Sequence, residues 1–188
     1  RLASGILMIV LFMIWTGLIK TIDVQSIGAG RTDVGFAKIN MWFHELTGVH
    51  MWIYSITDWL GLIPVIVCVG FGIMGLAQLI KRRSLLKVDF DICLLGIYYL
   101  LVIVGYLFFE MIPINYRPIL IEGRLEASYP SSTTLLVLSV MLSLEFQVQY
   151  RIHNDQWRKV ICSLIAVFTT LMIVGRLVSG VHWLTDII

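Results

Sequence analysis

Charged side chains are scarce in this sequence, 14% of 188 residues, against roughly 25% in an average soluble domain. With 59% of its residues hydrophobic, the chain lacks the polar surface needed to cover its apolar groups in water. That excludes an ordinary soluble domain and makes lipid the natural solvent. The formal net charge is only +2, too little to form a nucleic-acid surface, so no nucleic-acid partner is expected. There are three cysteines, Cys68, Cys93 and Cys162, all within apolar runs and without metal-ligand spacing. They read as reduced packing residues and say little about redox compartment. No low-complexity linker and no internal repeat is visible, so residues 1–188 are expected to form a single transmembrane domain. The chain opens on Arg1 and ends on Ile188 inside an apolar pattern, so both ends read as trimmed.

What is abundant is long apolar runs. A spanning helix needs about 20 predominantly apolar residues, within a range of about 17–25. Residues 2–19, 59–80 and 92–109 meet that directly. The run 135–144 is shorter, but the small hydroxyl residues Ser131 to Thr134 extend it into a protein-lined interior, and 160–175 gives a fifth span. A sixth is expected to start near Val181. The first run is long for a signal-peptide core and has no Ala-x-Ala-like exit, so it reads as a retained span. Lipid cannot satisfy backbone polar groups, so the runs are predicted to be helices. The expected fold is therefore an all-α membrane protein of about six transmembrane helices.

Loop charge predicts the orientation. One face carries Arg1, then Lys81, Arg82, Arg83 and Lys87, then Arg151, Arg158 and Lys159. The positive-inside rule places this face, with the N-terminus, in the cytoplasm of a cell-membrane protein. Segments 20–58, 110–130 and 176–182 then face outward. Between the first two spans, residues 40–59 are dense in Met, Trp, Phe and Tyr, which suits a helix in the outer interface anchored by Trp42, Trp52 and Trp59. His44 and His50, six apart, would fall on different sides of such a helix and are not read as metal ligands.

Three stretches at the outer ends of spans carry residues with chemical promise. In 175–186, His182 and Asp186 are four apart, so a helix would put them on one face. The carboxylate would then fix the imidazole tautomer and leave the other ring nitrogen as base or nucleophile. Arg176 offers a planar fork of donors to a phosphate. In 129–134, Pro130 followed by Ser131, Ser132, Thr133 and Thr134 at a helix start presents free amides and the positive end of the helix dipole. In 110–118, Arg117 is a second strong anion ligand, stiffened by Pro118. Two arginines, an anion-ready helix start and a His–Asp pair on one face point to phosphoryl chemistry.

The same residues resemble the signatures of the type 2 phosphatidic acid phosphatase family of membrane lipid phosphatases. These are Lys-x6-Arg-Pro, Pro-Ser-Gly-His and Ser-Arg-x5-His-x3-Asp. They align with Glu110-x6-Arg117-Pro118, Pro130-Ser131-Ser132-Thr133 and Gly175-Arg176-x5-His182-x3-Asp186. The resemblance implies a six-helix fold, a phosphohistidine intermediate, no required metal and no cofactor, with an anionic lipid as substrate. It implies His182 as nucleophile and Asp186 as its orienting partner. It also implies Arg117 and Arg176, with the amides and hydroxyls near Ser131 and Ser132, as the phosphate ligands.

Two positions depart from the pattern. Glu110 stands where the family has a phosphate-binding lysine, and Thr133 where it has the histidine thought to protonate the leaving group. A threonine hydroxyl is far too weak an acid for that task near pH 7. A lipid phosphate leaving from a pyrophosphate needs less acid help than an alkoxide does, so the expected activity is hydrolysis of a lipid phosphate or pyrophosphate, polyprenyl pyrophosphate favoured. Glu110 is unfavourable beside such a substrate unless Arg124 or Lys38 offsets its charge; alternatively, a protonated Glu110 could replace the missing acid, and the preference for pyrophosphates would then vanish. Two other readings stay open. One is a phosphoryl or headgroup transferase on the same scaffold, with Glu110 or Glu122 as a base or as contact for a cationic headgroup. The other is a non-hydrolytic protein that binds or moves anionic lipids.

Overall fold

The computed structural model describes residues 2–188. Arg1, assigned above to the basic face, lies outside the described residues. The chain folds into α1 (Leu2–Thr21), α2 (Ala37–Thr47), α3 (Met51–Leu60), α4 (Leu62–Arg82), α5 (Phe90–Met111), α6 (Ser132–Arg151) and α7 (Asp155–Val178), with short 3-10 turns between and after them. The all-α expectation holds, and only isolated bridges occur among the described residues.

Among the described residues, five helical stretches are long and apolar enough to cross a bilayer: Ala3–Thr21, Met51–Arg82, Phe90–Met111, Ser132–Arg151 and Asp155–Val178. The second is 32 residues, about 48 Å of helix at 1.5 Å per residue, well beyond a hydrocarbon core of about 30 Å. It is two helices, α3 and α4, joined at Gly61. Residues 40–59 are thus α2 and α3 rather than one helix, broken where Gly48 takes φ +68°. Trp42, Trp52 and Trp59 are exposed, as interfacial anchors are. α3, however, also packs against α7, turning Tyr54 and Thr57 inward, while Asp58 reaches Arg176 from an exposed position.

α6 explains its own weak hydropathy. It is the most enclosed of the spanning helices, and Val137, Met141 and Val148 pack on Ile165 and Met172 of α7. A helix wrapped by protein tolerates Thr133, Thr134 and Ser139, which are buried rather than set in lipid.

From Val181 onward there is no span among the described residues. α7 ends at Val178, Gly180 adopts φ +69°, and the chain closes with a 3-10 turn at Leu184–Asp186. This turn is packed tightly: a Cβ on Gly180 would lie 2.0 Å from the Gly48 carbonyl oxygen, and the His50 amide donates to the Ser179 carbonyl at 2.9 Å. Buried Asn40 of α2 completes the fastening. Its Nδ2 donates to the Thr185 hydroxyl at 2.9 Å and its Oδ1 accepts the Thr185 amide at 3.2 Å.

At the opposite end, Arg82 bonds Asp89 at 2.7 Å and Arg151 bonds Asp91 at 2.5 Å, tying α4, α5 and α6 together. The helices therefore alternate, with 22–50, 112–131 and 179–188 at one end and 83–89 and 152–154 at the other. The positive-inside rule predicts that the second end is the cytoplasmic one. Cysteines replacing Arg31 or Glu122 should label from outside intact cells, while those replacing Arg82 or Asn154 should label only after permeabilisation. Labelling of position 82 from outside would reverse the topology. Gly180, which sequence placed on the accessible face, is buried and serves as no probe.

Candidate active site

Asp186 gathers the site. Its Oδ1 accepts a hydrogen bond from Asn115 Nδ2 at 3.0 Å, and its Oδ2 accepts from Ser128 Oγ at 2.5 Å and from the Trp183 amide at 3.1 Å. Its backbone carbonyl accepts the Ser131 amide at 2.9 Å. One residue thus joins the 112–131 loop, the start of α6 and the C-terminal turn.

His182 and Asp186 are brought together, but not as predicted. They share no helix face, because Gly180 ends α7 before them, and no direct bond joins them. Ser128 stands between. His182 Nδ1 lies 3.1 Å from both the Ser128 carbonyl oxygen and the Ser128 hydroxyl oxygen, and that hydroxyl donates its own hydrogen bond to Asp186. A carbonyl only accepts, so Nδ1 carries the hydrogen and Nε2 carries the lone pair. His182 Nε2 is buried and has no partner among the described residues.

Both arginines converge here. Arg117 is set by a small hairpin closed by the Tyr116–Ala127 and Ile121–Arg124 bridges. Its Nη2 meets Glu126 at 3.2 Å, while its Nε and Nη1 are buried without partners. Arg176, in the last turn of α7, is 1% exposed. It bonds Asp58 at 3.2 Å and the Thr133 hydroxyl. Both guanidinium groups lie over the Tyr54 ring, at 5.6 and 4.7 Å from its centroid.

The helix start of α6 is ready for an anion. Ser131 caps it, and the Ser132, Thr133 and Thr134 amides find no acceptor among the described residues. The Ser131 amide is not free, being taken by Asp186. A polar cavity of about 220 Å³ is lined by Arg117, Glu110, Glu126, Tyr129 and Ser132. Beside it lies an apolar cavity of about 270 Å³ between α4, α5 and α6, which shares Tyr106 and Ser132 with it and is walled by Leu62, Val102, Ile103 and Leu135. Neither Arg124 nor Lys38 lines the polar cavity, and Glu122 sits exposed at the hairpin tip.

Burial sets the protonation states. It pushes the His182 imidazole well below its ordinary range, and repulsion from Arg117 and Arg176 adds to this, so the ring is neutral near pH 7. Burial raises Asp186 to about 6, against the pull of Ser128, Asn115, the Trp183 amide and Arg117.

Residues 105–188 match the model of the PAP2 superfamily. The fold agrees over nearly its whole length with the crystal structure of a transmembrane PAP2 type phosphatidylglycerolphosphate phosphatase from Bacillus subtilis, with a TM-score of 0.61 at 15% identity, covering 95% of this chain and 86% of that one. No curated protein sequence matches. The PAP2 motif positions Arg117, Ser131, Ser132, Thr133, Arg176, His182 and Asp186 all fall at one end of the bundle. Five residues of the same cluster were not singled out in sequence: Asn115, Ser128, Tyr54, Thr57 and Asp58.

The relay makes a pH prediction. Asp186 accepts from Ser128 fully only when ionised, so turnover should fall as pH drops through about 6. Ser128→Ala should lower kcat by about a hundredfold through misplacement of the imidazole. It also removes a bond that stabilises the carboxylate, so the acid limb should move to higher pH. Ser128→Thr should restore both. A pH–rate profile checks this, and an unmoved limb in Ser128→Ala would discard the relay.

Proposed function

We propose that this chain hydrolyses a lipid pyrophosphate, with a polyprenyl pyrophosphate favoured, at the outer membrane face, and that His182 is the nucleophile. The observation that carries the reading is the buried, unpartnered Nε2 of His182, held in the nucleophilic tautomer by Ser128 and accompanied by the unpartnered Nε and Nη1 of Arg117. The neighbouring apolar cavity supports a lipid substrate, since a tail seated there would leave its phosphate beside Ser132 and the polar cavity.

In this reading Nε2 forms a bond to the terminal phosphorus while the bond from that phosphorus to the bridging oxygen breaks, and the lipid monophosphate departs with the electron pair. Arg117, Arg176 and the α6 amides hold the equatorial oxygens, where charge spreads in the transition state. Water then attacks the phosphohistidine, the P–N bond breaks, and inorganic phosphate leaves with the water's oxygen. The proton released by the water goes to solvent or to the product.

Thr133 supports the choice of leaving group. Its hydroxyl is held by the Arg176 guanidinium, so it is an acceptor in that contact rather than a proton source. General-acid help contributes about 10²–10⁴-fold where the leaving group is an alkoxide, and much less where it is a phosphate. The purified protein should therefore release phosphate faster from polyprenyl pyrophosphate than from a lipid monophosphate. Thr133→His should improve monophosphate turnover selectively. A wild type that favours monophosphates, or a histidine that brings no gain, would defeat the leaving-group argument.

A further inference from the structure

The polar cavity has the wrong charge for a naked phosphate. Arg117 contributes one positive charge and is already paired with Glu126 at 3.2 Å. Glu110, exposed at the end of α5, adds a second carboxylate to the same wall with no cation opposite it. Beyond the wall, Arg176 is matched by Asp58 at 3.2 Å, and neutral His182 contributes nothing. The lining is thus net negative, while the buried, unpartnered nitrogens of Arg117 mark it as a place built to receive an anion. An added dianion or trianion would meet two carboxylates in a half-enclosed space, where repulsion is only partly screened.

We infer that the substrate brings its own positive charge, which sits between Glu110 and Glu126 while its phosphate engages Arg117 and His182. This rests on the proposed phosphate site and specifies what that site accepts. Two carriers share this chemistry: a divalent cation complexed to a pyrophosphate, or an ammonium group a few atoms from a phosphate. In either case the cation belongs to the substrate, and attack at phosphorus still falls to His182. The carboxylates make the Arg117 site selective by rejecting phosphates without such a partner. They also give Glu126 a second acceptor role, since a cation there lets Arg117 Nη2 turn from carboxylate to phosphate.

Binding to the detergent-purified full chain tests this without requiring turnover. Isothermal titration would compare inorganic pyrophosphate in chelator with its preformed Mg²⁺ complex, and inorganic phosphate with phosphoethanolamine, with Mg²⁺ alone as control. The Mg²⁺ complex, the ammonium-bearing phosphate, or both should bind at least about tenfold tighter than the bare anion; which arm responds identifies the carrier. Glu110→Lys should reverse the order, strengthening the bare anion and abolishing the gain. Glu126→Gln, which keeps the shape of the wall, should shrink the gain in the same direction. Equal binding of bare and cation-bearing anions by the wild type, or a gain that survives Glu110→Lys, would overturn the inference while leaving the phosphate site standing. Binding of no anion in any arm would overturn the site and the inference together.

Discussion

The Asp186 carboxylate is the constraint on which the site depends. Its bonds to Asn115, Ser128 and the Trp183 amide, with the Ser131 amide on its carbonyl, hold together segments separated by up to 71 positions in sequence. A carboxylate buried so completely is expensive unless several donors satisfy it. Here the donors come from the 112–131 loop and the C-terminal turn, so the energy that stabilises the charge also fixes how these two segments meet. The imidazole is oriented at one remove, through Ser128, and tautomer and position follow from one network.

The two arginines are a second, opposing constraint. Burying like charges over one tyrosine ring costs several kcal/mol per ion unless each is matched. Asp58 and Glu126 do the matching, both from partly exposed positions at the cavity edges. The matching is incomplete: Nε of both groups and Nη1 of Arg117 remain unpartnered. Such residual donor capacity destabilises the empty fold and favours an anionic ligand. In the proposed reading Glu110 then sets a condition on that ligand, so that the two motif departures would alter a preference rather than abolish the site.

Much of this was legible in sequence. The five apolar runs became the five span-length stretches, and Arg176, His182 and Asp186, picked out by their spacing, lie together at one end of the bundle. The i, i+4 helix reading of His182 and Asp186 failed because Gly180 takes a left-handed conformation just beyond α7. Glycine following a basic last turn is a recognisable helix stop, and the signal was there to be weighed. The roles of Ser128, Asn115 and Asn40 were not legible, since each depends on loop closure that no periodicity encodes. α3 was read as an interfacial element from its aromatic residues. Its edge facing Arg176, made of Tyr54, Thr57 and Asp58, becomes visible only once α7 is set against it.

The central claim is that His182 Nε2 takes the phosphoryl group. Rapid quenching of the purified protein with pyrophosphate-lipid labelled in its terminal phosphate tests it most directly. The account predicts protein-bound label that is stable to base and labile to acid, as a phosphohistidine is, and that maps to the peptide containing His182 and is absent from His182→Asn. Turnover without any such label, or label that persists in His182→Asn, would contradict it.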